Sequence, residues 1–235
     1  MALRPWSPIP IHDNGEPLED LPEALLRLEP HPYQSLGAPY GWAGPFRLRR
    51  GVILRLLAAL KLLQEQRPHW RLAIFDAWRP LAVQRFMVRQ ALEQECRARG
   101  IDPDGSGAAL EEVSQLVGRF WAPPSEDPCT PPPHSTGAAV DLTLADGDGR
   151  ELAMGGAIDA LGPISEPDHY AAIAAAEPGG EAAEWQRRRW LLAGCLAQVG
   201  FAQHPNEWWH YSHGDQLWAW RQGAQTACYG RCPEG

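Results

Sequence analysis

Two short segments carry residue types whose spacing could do chemistry. His134-Ser-Thr-Gly-Ala-Ala-Val-Asp141 places an imidazole and a carboxylate on either side of a glycine. Glu207-Trp-Trp-His210 places a carboxylate three residues before a second imidazole. Zinc is held well by imidazole nitrogens and a carboxylate oxygen, with three protein ligands in catalytic sites. His134, Asp141 and His210 could supply that set, leaving Glu207 as a carboxylate near the metal but not on it. Zinc lowers the pKa of water to about 7. A neighbouring carboxylate can then take a proton from water and return it to a leaving amine. The chemistry implied is hydrolysis.

The elements that must position these residues follow from periodicity. Val52–Gln66 reads as a helix with Val52, Ile53, Leu56, Leu57, Leu60 and Leu63 on one face, stopped by Pro68. Arg71–Phe75 reads as a short buried strand leading to Asp76-Ala-Trp-Arg79-Pro80, and a second helix runs from about Leu81 to Arg99. A weaker helix covers Ala109–Gly118, before a proline-dense connector over Trp121–Pro133. Val140, Leu142 and Leu144 alternate with Asp141 and Thr143, the period of a half-buried strand. Asp146–Gly149 is a turn, Pro163–Gly180 a loop with an alanine-rich turn, and Glu184–Val199 a helix closed by Gly200.

Glu207–Ser212 is the last strand, with a strand partner at Leu217–Trp220. Residues three apart on a strand face opposite sides, so joint use of Glu207 and His210 requires a bend or bulge near Trp208. A helix would put the pair on one face, yet two tryptophans and a tyrosine favour strand. Trp209 is expected in the core with Tyr211, and Trp208 beside the metal. The class expected is α+β, a small antiparallel sheet carrying the site between flanking helices.

The chain has 235 residues and a formal charge of −8, which argues against nucleic-acid binding. We expect one domain over 1–235, with a loop-rich region at 1–50 and a polar tail at 221–235. No segment is apolar for long enough to span a bilayer, and the first residues carry no secretory pattern. The expectation is a cytoplasmic protein with no membrane partner. Five scattered cysteines, none in a Cys-x-x-Cys pair, read as reduced structural thiols. His12, His31, His69 and His204 read as ordinary loop or surface residues.

The two segments carry a resemblance. His134-Ser-Thr-Gly-Ala-Ala-Val-Asp141 resembles the His-x-x-Gly-x-Ala-x-Asp signature of zinc D-alanyl-D-alanine peptidases. Glu207-Trp-Trp-His210-Tyr is similar to the second signature of their dipeptidase branch, known from vancomycin resistance. Related carboxypeptidases and the Hedgehog signalling domain share the metal framework. Phe75-Asp-Ala-Trp-Arg79-Pro80 resembles the segment bearing the family's essential arginine, and Met154-Gly-Gly-Ala-Ile-Asp159 resembles its Met-Gly-x-x-Phe-Asp stretch. The matches run in order from about Leu72 to Tyr211.

The resemblance implies one Zn2+ per chain on His134, Asp141 and His210, with Glu207 as general base and acid. It implies that Arg79 stabilises the oxyanion and that Asp159 binds the ammonium of a D,D-dipeptide. For Arg79 the plainer reading is a salt bridge to Asp76, and for Asp159 a solvated loop carboxylate. Pro132 stands where the family commonly has serine, so any substrate bond from that hydroxyl is lost. His169 is expected in a loop near the pocket, and His213 at the surface or behind the ligands. The implied reaction is hydrolysis of D-Ala-D-Ala to free amino acids. Two alternatives remain open, a peptidoglycan D,D-carboxypeptidase on the same framework and a zinc-stabilised binding module without catalysis. Oligomeric state is not legible.

Overall fold

The apolar stripes find a common sheet. The computed structural model describes residues 4–42 and 44–233. In chain order the elements are β1 (Leu18–Asp20), β2 (Leu26–Arg27), α1 (Pro32–Ser35), β3 (Arg47–Arg49) and α2 (Arg50–Gln66). Next come β4 (Arg71–Asp76), α3 (Leu81–Arg99), α4 (Ala108–Phe120) and β5 (Ala139–Ala145). The chain closes with α5 (Ala171–Ala176), α6 (Glu181–Gln198), β6 (Ala202–Gln203), β7 (His210–Ser212) and α7 (Gln216–Gln222). The class is α+β, as expected. No described helix is long and apolar enough to cross a membrane.

Five strands form the central sheet in the order β2-β4-β5-β7-β6. It is antiparallel except at one edge, where β2 runs parallel to β4. Leu72, Ile74, Val140, Leu142, Leu144 and Tyr211 join Val52, Leu56 and Leu63 of α2 and Leu192 and Leu196 of α6 in one core. The intervening residues Asp141, His210 and Ser212 therefore point to the other side of the sheet. A second core joins α3 and α4 through Val83, Met87, Val113 and Val117, with Tyr33, Tyr40 and Trp121 packed among them.

Three expectations change. Leu217–Trp220 is helical, not a strand: α7 is capped by Asp215, whose carboxylate accepts the Trp218 N–H at 2.8 Å, and it ends at Gly223 with φ +67°. A four-residue apolar run does not distinguish the two periods, and these end signals decide it. The first fifty residues contain three strands, β1 pairing with β3 across Leu18↔Arg49. The C-terminal tail is woven in: Ile11 bridges Ala227, and the Cys232 N–H donates to Ser135 O. Cys232 is accordingly buried, as are Cys96 and Cys195, whereas Cys129 is exposed.

Buried Arg49 ties these ends to the segment that carries His134. Its backbone N–H donates to Gly137 O, its Nε to Thr136 O, and its Nη2 to Gly230 O and Asp13. Gly137, at φ +69°, closes the short 3-10 turn Pro133–Thr136, and a Cβ there would collide with Leu18. Only glycine fits that corner without strain.

On the opposite side, Arg189 of α6 holds the loop bearing Asp159. Its Nε donates to Met154 O at 2.8 Å, Nη1 to Glu166 O at 2.9 Å and Nη2 to Ile164 O at 3.0 Å. The guanidinium also lies over the rings of Trp208 and Tyr170. Arg189→Met strands three carbonyls, and a buried unpaired polar group costs about 1–3 kcal/mol. We expect unfolding free energy to fall by about 3 kcal/mol in urea titration, with some recovery by water. An Arg189→Met protein as stable as wild type would refute the clamp.

Candidate metal centre and its cleft

Strand register builds the centre. Asp141 pairs with Asp76 on one side and with His210 on the other, so three side chains stand in one cross-strand row on one face. A register shift between Ile74 and Asp76 brings Asp76 into that row. His134 arrives from the 3-10 turn. The turn is fastened to the Arg79 segment by Arg79 N–H to His134 O (3.2 Å) and Ser135 Oγ to Arg79 O (2.7 Å).

His134, Asp141 and His210 converge, all buried. His134 Nδ1 lies 2.7 Å from Ala77 O; a carbonyl only accepts, so Nδ1 carries the proton and Nε2 faces the centre. His134 Nε2 is 3.2 Å from His210 Nδ1 and 3.2 Å from Asp141 Oδ2, while His210 Nδ1 is 3.0 Å from Asp141 Oδ1. A tetrahedral ion with bonds of 2.0–2.1 Å separates its ligands by about 3.3 Å. The donor set therefore fits a small divalent cation. Ser212 Oγ, 3.3 Å from His210 Nε2, partners the far side of that ring. Burial opposes ionisation of Asp141, yet the imidazoles of His134 and His210 hold its carboxyl well below the usual carboxylate range.

Glu207 lies outside β7, in the turn between β6 and β7. That is the bend the spacing demands. Its Oε2 stands 3.7 Å from His210 Nδ1, and its buried Oε1 has no hydrogen-bond partner among the described residues. Burial, then the charges of Asp141 and Asp159, push its carboxyl well above the usual range.

Arg79 makes the salt bridge to Asp76 that is its plainer reading, and it also lines the cleft. Its Nε and Nη2 donate to Asp76 Oδ2 at 3.0 and 2.7 Å, and Nη1 donates to Gln84 Oε1 at 2.9 Å. Nη2 also reaches Tyr33 Oη and Asp141 Oδ2, each at 3.4 Å. The guanidinium lies over the Tyr33 and Trp121 rings and lines the cleft with the three converging residues.

Asp159, half-buried in a loop turn, also lines that cleft. It sits at φ +65°, a conformation aspartate tolerates better than most residues. Tyr33 Oη donates to its Oδ2 at 2.6 Å. Burial, reinforced by the Asp141 charge, pushes its carboxyl up to about 7.

Several participants escape sequence reading. His31 is buried, its Nε2 3.2 Å from Asp76 Oδ1, and Tyr40 Oη donates to the same oxygen at 2.7 Å. His204, also buried, lines the cleft with its Nδ1 3.4 Å from Glu207 Oε1, and burial pushes its imidazole well below its usual range. Both stand beside proline in loop-like sequence, and only the fold buries them. Trp209 joins the core with Tyr211 as expected and also lines the metal cleft, whereas Trp208, in the same core, lies under Arg189 and not among the residues lining the metal cleft. His213 packs tilted against Trp218 at 5.0 Å, and His169 packs edge-on against Tyr170 at 4.6 Å, outside the residues that line the cleft.

Comparison with known proteins places this geometry. The Peptidase_M15 family, described as D-ala-D-ala dipeptidase, matches residues 27–227. A Synechocystis sp. protein named D-alanyl-D-alanine dipeptidase is 42% identical over 97% of this chain and 97% of its own length. A Streptomyces coelicolor protein of the same name is 45% identical over 34% of this chain and 35% of its own length. An Escherichia coli protein, likewise so named, is 37% identical over 33% of this chain and 36% of its own. Among solved structures, a vancomycin-resistance D,D-pentapeptidase VanY variant in complex with Zn(II) is similar at TM-score 0.46 and 15% identity, over 93% of this chain and 95% of that one. VanYB in complex with D-alanine-D-alanine is similar at TM-score 0.45 and 13% identity, over 93% of each chain. On the family match and the near-full-length relative, the chain is a peptidase and belongs to the Peptidase_M15 family of D-ala-D-ala dipeptidases.

Proposed function

We propose that the chain hydrolyses D-Ala-D-Ala, or a close D,D-dipeptide, to free amino acids, with one zinc ion per chain held by His134, Asp141 and His210. The observation that carries this reading is the buried Oε1 of Glu207, without a hydrogen bond among the described residues, beside three convergent metal donors in one cleft. Zinc in that position supplies Lewis acidity, polarising a carbonyl and acidifying water.

The chain's own residues do the rest. Glu207 takes the water proton and returns it to the departing amine, a role suited to a carboxyl that burial makes more basic than an ordinary glutamate. Arg79, locked by Asp76 and Gln84, holds a fixed positive charge where the carbonyl oxygen becomes an oxyanion. Asp159 and Tyr33 receive the substrate ammonium.

The test is D-alanine release from D-Ala-D-Ala by zinc-loaded protein, with N-acetyl-D-Ala-D-Ala as control. Cleavage of the free dipeptide alone supports the reading; cleavage of both points to a carboxypeptidase. Treatment with a chelator should abolish release and lower the melting temperature, because an ion that binds only the folded state stabilises it by mass action. Added zinc should restore both. Release that survives complete metal removal would sink the proposal.

Asp159→Asn keeps the Tyr33 contact but removes the negative charge. KM for D-Ala-D-Ala should rise about 10- to 100-fold, the worth of a charge-assisted bond. An unchanged KM would return Asp159 to a structural role.

A further inference from the structure

The cleft contains a second cation besides Arg79, and it comes from the far end of the chain. Arg4 lines the cleft together with His134, Asp141, Asp159, Glu207 and His210. Arg79 is committed to Asp76, Gln84 and Tyr33. Arg4 is not so committed: its one side-chain hydrogen bond among the described residues runs from Nη1 to Arg119 O at 3.2 Å. No described carboxylate lies within ion-pair distance of it, although the guanidinium is half-buried against Trp6. A partly desolvated cation that the Glu207 charge attracts only from beyond salt-bridge distance is costly, and an anionic ligand relieves that cost.

Arg4 is also held in place. Its backbone N–H donates to Ser7 Oγ, and Gln216 Nε2 grips Ser7 O, Ile9 O and Cys129 O. Trp6, buried, packs edge-on against His204 at 5.7 Å and against Trp220 at 5.5 Å. The segment is thus fastened before ligand arrives, which reduces the ordering cost of binding.

Position within the cleft supplies the ligand's chemistry. At Asp159 the cleft adjoins a cavity lined by Tyr33, Phe75 and Leu161. At Arg4 it adjoins a different cavity, lined by Pro131, Pro132 and Pro133, and the two share no residue. Proline has no N–H to donate, Ser125 and Thr130 bond each other, and Gln216 is spent on three carbonyls, so Arg4 is the one charged group among the described residues of that lining. An anionic group and a cationic group therefore stand at separate ends of the cleft that contains the metal donors. A free dipeptide is a zwitterion with its two charges at opposite ends.

The geometry points to Arg4 as the residue that binds the C-terminal carboxylate of the substrate. This assignment rests on the dipeptidase reading and deepens it. Asp159 at one end and Arg4 at the other select a substrate two residues long.

The experiment measures binding without turnover, on zinc-loaded Glu207→Gln protein, by calorimetry with D-alanyl-D-alanine and with D-alanyl-D-alaninamide. The amide keeps the ammonium and removes the carboxylate charge. The free acid should bind about 10- to 100-fold more tightly, as a charge-assisted hydrogen bond requires. Adding Arg4→Gln should weaken the acid to the level of the amide and leave the amide unchanged, while Arg4→Lys should recover part of the difference. Zinc content and melting temperature verify that each variant is folded. Equal weakening of acid and amide, or no weakening of either, would overturn the assignment. If neither compound binds and wild-type protein releases no D-alanine, the dipeptidase reading fails and takes this assignment with it.

Discussion

Glu207→Gln should lower kcat for D-Ala-D-Ala by about 10²- to 10⁴-fold, the range for a positioned general acid–base. Zinc content should stay at one ion per chain, because Glu207 lies beside the three convergent donors without belonging to them. KM should change little, since the amide matches the carboxylate in size and the Asp159 and Arg79 walls are untouched. The decisive comparison is kcat against bound zinc. Loss of both together would make Glu207 a ligand; retention of both would remove it from the reaction.

The same substitution should alter stability in a pH-dependent way, measurable on metal-free protein. Burial raises the folded-state pKa of Glu207 above its unfolded value. The folded state then holds this proton at pH values where the unfolded chain has released it. Wild-type stability is therefore eroded as pH rises above about 4.3, the ordinary glutamate value, toward the raised one. Glutamine carries no such titration, so Glu207→Gln should be the more stable protein at pH 8 and lose its advantage near pH 4. Equal stability of the two across that range would contradict the burial of an ionisable Glu207.

Arg79→Lys should lower kcat by about 10²- to 10³-fold, the usual loss of one oxyanion donor. Lysine preserves the charge but not the fork. Arg79 bonds Asp76 through Nε and Nη2 and Gln84 through Nη1 while still facing the cleft, and it lies between Tyr33 and Trp121. A single ammonium cannot meet all those directions at once. Burial opposes the charge of Arg79, but the carboxylates of Asp76 and Asp141 hold its guanidinium firmly protonated. Arg79→Ala is the poorer test: it leaves Asp76, fully buried, without its main cation, and breaking such a pair costs about 3–5 kcal/mol. A purely structural arginine predicts a lower melting temperature with kcat retained. An oxyanion role predicts the reverse for lysine, a large fall in kcat with zinc content unchanged.

Much of the scaffold is local in origin, and so it can be read from the chain. The stripe of Val52, Ile53, Leu56, Leu60 and Leu63 specifies α2, and Pro68 stops it. The alternation around Asp141 specifies β5, and the extended stretch before Asp76 specifies β4. Each depends on neighbours two to four residues apart. The run Leu217–Trp220 shows the limit: it is too short for its period to be unique, and the capping carboxylate of Asp215 settles it as helix.

The residue types at the centre were legible for the same local reason, as two compact segments with metal-binding side chains. Their convergence was not. Asp76, Asp141 and His210 share a row because β4, β5 and β7 are adjacent and in that register, a row whose two ends lie 134 residues apart in the chain. The surroundings are equally non-local. His31, His204 and Tyr33 look like ordinary loop residues until burial places them against Asp76, Glu207 and Asp159. Arg4 looks like part of an unremarkable N-terminus until Gln216 fastens its segment beside the cleft. By itself the sequence determined which side chains are chemically able and which helices and strands carry them, since those depend on short-range sterics and periodicity. Only the tertiary structure decided which of them share a low-dielectric cleft, because burial and charge pairing arise between segments that the chain keeps far apart.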